Sequence, residues 1–273
     1  MTCAIGYFDG VHLGHRALLA GADVALTFAT HPLETLAPER APRLLMSHED
    51  RLAALRASGV SDVVVLDFTA DFAALAPADF VRDYLLPRGV TGVRCGANWN
   101  FGAKGAGRPE TLAGFGIAAE IVPYAEYKGD AVSSTRIRAA LSHGAIADAN
   151  AMLGSTWFVR GELFTGKGLG RKIGFPTLNF HIPSYYVKPP NGVYVVRYAG
   201  ARGIANWGVA PTMGTEKWPE PVLEIHFTET MPSSFGDDRI EILDFIRPER
   251  TFASLDALKE QIRRDIAFLS AHK

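Results

Sequence analysis

The segment "GYFDGVHLGH", Gly6–His15, decides how the first half of this chain is read. An apolar run, Met1 to Ile5, precedes it, and a short helix-like run, "RALLAGA", follows it. Strand, glycine-rich turn and helix in that order begin a parallel α/β unit. Gly10 and Gly14 let the backbone turn tightly and approach a ligand. His12 and His15 stand three apart, so they share a face once the segment enters a helix. Two close histidines with glycines also occur in an ordinary surface turn, so the surrounding pattern has to decide.

Outward from this segment the alternation continues. "DVALTF" (23–28) and "DVVVLDF" (62–68) read as buried strands, and "VTGVRCG" (90–96) and "AAEIVPY" (118–124) as weaker ones. Helices are expected from Ser47, which has Asp50 at capping-box spacing, and from Pro77, which suits a first helical turn. Another follows "SSTRIRAAL", with Ile137 and Leu141 on one face and Gly144 as its stop. The connection from His12 to Ala22 lies near the lower limit for a crossover between parallel strands.

From Thr156 the character changes. "TWFVRGELF", "GVYVVRYAG", "ARGIANWGV", "PVLEIHF" and "RIEILDFI" are strand signals, punctuated by turns such as "KPPNG" and "APTMG". Short strands at this spacing predict a small antiparallel barrel. A closing helix carries Leu255, Leu258, Ile262, Ile266 and Leu269 on one stripe, capped by Ser254. Two unlike domains are expected, 1–153 and 154–273.

Composition narrows the function classes. The 273 residues are 48% hydrophobic and 21% charged, with a formal net charge of −1. Such a chain has no global field for nucleic acid or anionic membrane, and no apolar run long enough to span a bilayer. The N-terminus lacks the sections of a signal peptide. Cys3 and Cys95 are far apart and read as reduced thiols, so a cytoplasmic protein is expected. Oligomeric state stays open between a monomer and a weak homo-oligomer.

Two constellations carry chemistry. Backbone N–H groups at a helix start cradle phosphate oxygens, and imidazoles can donate to a transferring phosphate. "SSTRIR" (133–138) adds the hydroxyls of Ser133, Ser134 and Thr135 with Arg136 at a second helix start, which suits a phosphate chain. In the second half, Gly166, Gly168 and Gly170 beside Lys167 and Arg171 form a loop able to wrap a phosphate, although hairpins use the same residues. Thr177 and Asn179, two apart on a strand, point to one side and could hold Mg²⁺. Glu224, in "LEIHF", could serve as a base, or could simply be the solvent face of an alternating strand.

In order and spacing, "GYFDGVHLGH", "THP" (30–32), "CGANWNFG" (95–102) and "SSTRIR", then "GLGRKIGFPTLN", "GIANWGVAPTMG", "LEIHF" and "IRPERTF", resemble the bacterial bifunctional riboflavin kinase/FMN adenylyltransferases, or FAD synthetases. The resemblance implies a Rossmann-like nucleotidyltransferase domain followed by a six-stranded antiparallel Greek-key β-barrel with a C-terminal helix. It implies that Gly6, Phe8, Asp9, Gly10, His12 and His15 surround ATP, with Ser134, Thr135 and Arg136 binding it from the far side. His31 and Asn98 are placed beside the flavin. In the kinase half Gly166, Lys167, Gly168, Gly170 and Arg171 bind nucleotide, Thr177 and Asn179 meet Mg²⁺ and the nucleotide, and Glu224 takes the ribityl proton. Riboflavin, FMN and ATP are the implied substrates, FMN and FAD the products, with no nucleic-acid partner. Departures are the short helix after His15, Thr30 in place of a common Pro, Trp99 in place of a common Phe, and Phe235-Gly236 where a Tyr-Gly is common. The short helix keeps one rival open, a kinase with a merely structural first domain; against a second, a flavin- or nucleotide-binding regulatory module without turnover, stand Thr177, Asn179 and Glu224 together, since plain binding needs no base.

Overall fold

The computed structural model describes residues 1–166, 174–208, 222–228 and 238–271, with side chains to 269. The chain divides into two compact units. One comprises Met1–Pro42 and Met46–Ser134, the other Arg43–Leu45 and Thr135–Lys273. The helices Ser134–Ser142 and Ile146–Leu153 therefore fall almost wholly within the second unit.

The first unit is built on five parallel strands: β1 (Thr2–Ile5), β2 (Val24–Phe28), β3 (Asp62–Leu66), β4 (Gly92–Cys95) and β5 (Ala118–Ile121). Their order is β3-β2-β1-β4-β5. Alternate residues of β1 enter opposite cores: Cys3 and Ile5 pack with Leu26, Val93 and Phe80, while Ala4 packs with Ala25, Leu19 and Leu55. Burial on both faces explains why β2 reads as a continuous apolar run, while β3, at the sheet edge, buries only Leu66 fully and leaves Val65 exposed. Reversal of the strand order between β1 and β4 opens a crevice beyond their carboxyl ends, where ligands bind in doubly wound sheets. Gly6–His15 leaves the end of β1, and "CGANWNFG" leaves the end of β4. The expected elements are present with shifted ends. Ser47 caps the helix His48–Arg56 by accepting from the Asp50 N–H at 3.0 Å, but its hydroxyl donates to the Asp50 carboxylate, so the reciprocal half of a capping box is not formed. The Pro77 helix is α only over Pro77–Phe80, then widens to a π turn over Val81–Leu85. A hairpin, β6 (Glu126–Tyr127) and β7 (Asp130–Ala131), leads to Ser134.

The second unit holds β8 (Phe158–Arg160), β9 (Glu162–Phe164), β10 (Thr177–His181), β11 (Gly192–Tyr198), β12 (Ala201–Gly208), β13 (Val222–Phe227) and β14 (Arg239–Pro248). They form one antiparallel sheet, β8-β14-β11-β12-β13-β10-β9. Seven strands stand where six were implied, because "TWFVRGELF" is broken at Gly161. That single residue joins the two edge strands of the sheet, so the sheet nearly closes into a barrel. A Cβ at Gly161 would lie 2.8 Å from Ile182 Cδ1 and 2.9 Å from Phe180 Cβ, so the corner admits only glycine without rearrangement. Leu223, Ile225 and Phe227 face the interior, and the alternate residues Glu224 and His226 face outward. The helix Leu255–Ala271 packs Ile262, Ile266 and Leu269 on the outer surface beside Val193, Val195 and Ile204. Leu255, expected on the same buried stripe, is instead 57% exposed. Among the described residues no helix is long and apolar enough to cross a membrane.

Candidate active sites in the two units

In the first unit the turn after β1 is strained, and its central residues are buried. Phe8, Gly10 and Val11 all have positive φ (60°, 84° and 38°), a rare state for a bulky or β-branched residue. Phe8, Asp9, Val11 and His12 are buried. Such geometry survives only where the surroundings enforce it, and it concentrates at functional sites. His12 caps the helix Leu13–Leu19: its Nδ1 accepts from the His15 backbone N–H at 3.3 Å. With Nδ1 accepting, a neutral His12 carries its proton on Nε2. The His15 ring stacks on His12, centroids 3.6 Å apart, and meets the Phe8 ring nearly perpendicular at 5.3 Å. A Cβ at Gly14 would meet the His12 ring at 3.2 Å, so this glycine keeps the ring seated. The Ser134 hydroxyl donates to the Asp9 carbonyl at 2.9 Å, bringing the start of "STRIR" to the turn across the chain. Thr135 and Arg136 follow in the same helix and belong to the second unit.

His31 and Asn98 lie elsewhere in this unit. His31 caps the helix Pro32–Leu36 through Nδ1, which accepts from the Leu33 N–H at 3.1 Å, and its ring meets Tyr7 edge-on at 4.7 Å. Asn98 is exposed in the turn closed by the Trp99 N–H on the Gly96 carbonyl at 3.0 Å. A cavity of about 800 Å³ starts at Ile5 and Gly6 and is walled by Phe28, Phe68, Phe72, Phe80, Trp99 and Phe101. None of these aromatic residues was singled out as a ligand contact from sequence. They come from four separate segments that only the fold brings together.

In the second unit the expected residues form a row on the outer face. Asn179 pairs with Glu224, and Glu224 with Asn206, across three adjacent strands. Thr177 lies on the same face as Asn179, and its hydroxyl donates to Glu224 Oε1 at 2.7 Å. His226 pairs with Thr177, and its Nδ1 sits 2.9 Å from the Pro176 carbonyl. The Gly166 backbone crosses close over Asn179: a Cβ there would lie 2.6 Å from Asn179 Nδ2. Lys167, Gly168, Gly170, Arg171 and Phe235-Gly236 lie outside the described residues. Asn206 and Glu249 were not singled out in the sequence. Both approach Gly208, whose Cβ would meet Glu249 Oε1 at 3.3 Å and Asn206 Nδ2 at 3.4 Å. From Glu249 a shallow cavity runs along Arg250, Thr251, Phe252, Leu255 and Leu258.

The fold thus defines a doubly wound α/β unit with a crevice at its strand-order reversal, in series with a nearly closed antiparallel barrel. Comparison with known proteins agrees with this division. Residues 1–136 match the family model described as FAD synthetase, and 153–272 the one described as riboflavin kinase. The bifunctional riboflavin kinase/FMN adenylyltransferase of Bacillus subtilis is 31% identical over 96% of this chain and 89% of its own length. That of Escherichia coli K12 is 35% identical over the same shares. A crystal structure titled as a macrolide-efflux protein from Streptococcus pneumoniae superposes with a TM-score of 0.86 at 29% identity, covering 97% of this chain and 92% of that one. The chain belongs to the bifunctional riboflavin kinase/FMN adenylyltransferase family.

Proposed function

We infer that this chain phosphorylates riboflavin to FMN in its second unit and adenylylates FMN to FAD in its first. The observation that carries the reading is that each half matches its own family model. A match across residues 1–136 disfavours a kinase with a merely structural first domain. We divide the functions at residues 153 and 154, and read Phe158–Phe164 as one strand bent at Gly161 that closes a six-stranded Greek-key barrel.

In the kinase half, Glu224 accepts the proton of the ribityl 5′-hydroxyl as that oxygen bonds to the γ-phosphorus of ATP and ADP departs. Phosphoryl transfer needs mainly positioning and neutralisation, so a modest base suffices. The hydroxyl of Thr177, the amide oxygen of Asn179 and the Glu224 carboxylate are hard donors that suit Mg²⁺. With its proton given to Glu224, the Thr177 oxygen keeps its lone pairs for a cation. Thr177 and Asn179 would hold the ion, which when bound neutralises phosphate charge. The loop over Gly166–Arg171 would cover the nucleotide. Riboflavin's ring fits the cavity of Phe252, Leu255 and Leu258, which gives the exposed Leu255 a purpose.

In the other half, a phosphate oxygen of FMN bonds to the α-phosphorus of ATP while pyrophosphate leaves. His12 and His15 donate to the developing negative charge, and the backbone of Gly6–Gly10 with Ser134, Thr135 and Arg136 holds the nucleotide. The aromatic cavity takes the isoalloxazine ring, with His31 and Asn98 at the flavin's polar end.

The test is a time course with riboflavin and Mg–ATP, separating FMN from FAD. FMN should rise first and FAD follow. FMN alone, even when FMN is supplied directly to concentrated enzyme, overturns the adenylylation reading and restores the kinase-only one.

A further inference from the structure

Arg51, on the helix His48–Arg56, is 1% exposed, and neither activity accounts for a charge buried there. Its two terminal nitrogens are engaged chiefly with backbone carbonyls at the ends of two strands. Nη1 donates to the Tyr7 carbonyl at 2.9 Å and to the Thr27 hydroxyl at 2.6 Å. Nη2 donates to the Phe28 carbonyl at 2.7 Å, with the Ala29 carbonyl at 3.4 Å and His48 Nδ1 at 2.9 Å. The Thr27 hydroxyl in turn donates to the Tyr7 carbonyl at 3.1 Å, and the Tyr7 ring lies 4.1 Å below the guanidinium carbon.

Position gives these contacts their meaning. Tyr7 lies beyond the end of β1, and Phe28 and Ala29 at and beyond the end of β2, where the parallel ladder stops supplying N–H donors. A buried carbonyl without a donor is costly, and one planar fork with five N–H groups serves several at once. Both strand ends lead into candidate site residues. Tyr7 begins the turn with positive φ at Phe8, Gly10 and Val11 that carries His12 and His15. Ala29 leads to His31, whose ring rests against Tyr7. Burial pushes the Arg51 pKa down, while Tyr7 and the buried Asp9 push it up, so charge in the same turn helps hold the cation.

We propose that Arg51 is a positioning residue for adenylylation, fixing the strained turn before His12 and the segment before His31 in one relative geometry. The inference rests on the reading of that turn as the nucleotide site. It is distinct from a general stabilising role, because what Arg51 holds are strand ends at one rim of the sheet.

The test uses the full-length protein, so that kinase activity reports on the same preparation. Arg51→Met keeps most of the side-chain volume and removes the donors. Arg51→Lys keeps the charge and loses the fork. His12→Ala serves as a control on the site itself. Loss of alignment should lower kcat for FAD formation about 100-fold in Arg51→Met, with Arg51→Lys intermediate. KM for FMN and ATP should change far less than kcat, and FMN formation should stay at its wild-type rate. Wild-type kcat for FAD formation in Arg51→Met overturns the proposal. So does a loss that Lys does not partly restore, or one matched by equal losses in KM and in kinase rate. If Arg51→Met does not fold, Arg51→Lys decides alone: reduced kcat with intact kinase supports the proposal, and full FAD formation overturns it. If His12→Ala still makes FAD at full rate, the reading of the turn has failed. Normal kcat in Arg51→Met beside an inactive His12→Ala means that only the role of Arg51 has failed.

Discussion

The hydroxyl of Thr177 donates a 2.7 Å hydrogen bond to the carboxylate of Glu224, across two paired strands of the barrel. On the reading proposed above, this bond would aim Glu224 as the base before substrate arrives and keep the Thr177 oxygen lone pairs for the cation. Two variants separate the roles. Glu224→Gln keeps the shape and removes the base, and FMN formation should fall about 10²–10⁴-fold, the usual worth of general-base catalysis. Thr177→Val keeps the volume and removes both the donor and the cation ligand, so it should raise the Mg²⁺ concentration needed for half-maximal rate as well as lower kcat. Riboflavin binding, followed by quenching of flavin fluorescence, should persist in both. Full kinase rate in Glu224→Gln would remove Glu224 from the mechanism.

Gly166 offers a purely steric test. A methyl group there would lie 2.6 Å from Asn179 Nδ2, so either the loop backbone or the Asn179 amide must move. Displacement by about 1 Å at a positioning residue can cost on the order of 100-fold in rate. Gly166→Ala should therefore lower kinase kcat/KM for Mg–ATP strongly while leaving FAD formation from supplied FMN unchanged. Equal kinase kinetics in wild type and variant would show that the loop yields freely.

Much of this was legible in the sequence, and the misses have common causes. β2 was visible because a strand buried on both faces reads as an unbroken apolar run, and β3 because its Val63, Val64, Val65 and Leu66 are strand formers even at the sheet edge. β13 was visible because Leu223, Ile225 and Phe227 alternate with polar residues. The Thr177, Asn179 and Glu224 row needed only the period of a strand, once the pairing of β10 with β13 set their register. Gly161 was missed as a corner because a glycine inside a strand signals a bend only when its neighbours are known. The aromatic cavity was missed because Phe28, Phe68, Phe80 and Trp99 share no local pattern and meet only through the sheet order. Arg51 has the same sequence signature as a solvated helix charge. Leu255 fits an apolar stripe by spacing, yet it precedes the turn at which the helix first reaches the sheet.

The two thiols should behave as core residues. Burial pushes the Cys3 thiol up to about 12 and the Cys95 thiol up to about 11, from an ordinary value of 9.0. At pH 8 neither supplies appreciable thiolate, so an aromatic disulfide reagent should leave the native protein unmodified and titrate both thiols after denaturation. The sign of the pH effect on stability follows. The raised native values mean that the native state holds these protons longer than the unfolded chain. Their contribution is therefore constant below about pH 9 and lost as pH rises from there through 11 to 12. Denaturation midpoints measured from pH 8 to 11 should fall, and Cys3→Ala with Cys95→Ala should flatten that part of the decline. Rapid native labelling at pH 8 would contradict the buried placement of both residues.

The ion pair of Arg247 with Asp265 locks the last helix to the barrel. Arg247 Nη2 lies 2.7 Å from Asp265 Oδ2 and Nε 3.0 Å from Oδ1, and the carboxylate also accepts from Gln261 at 2.8 Å. Asp265 is 3% exposed at its side chain and Arg247 11%, so solvent can replace neither partner. Attraction between such groups barely offsets their desolvation, but removing one leaves the other stranded. Asp265→Ala should therefore destabilise the protein by about 3–5 kcal/mol, measured by urea unfolding of the full chain. The double replacement Arg247→Met with Asp265→Leu should recover most of that loss, because it buries no unpaired charge. The same helix carries Leu255 and Leu258 at the edge of the cavity proposed for riboflavin. Asp265→Ala should thus also raise KM for riboflavin at temperatures where the fold persists, with FAD formation from FMN unaffected. Additive single-variant losses in the double replacement would mean that the two side chains act independently, despite their bidentate contact.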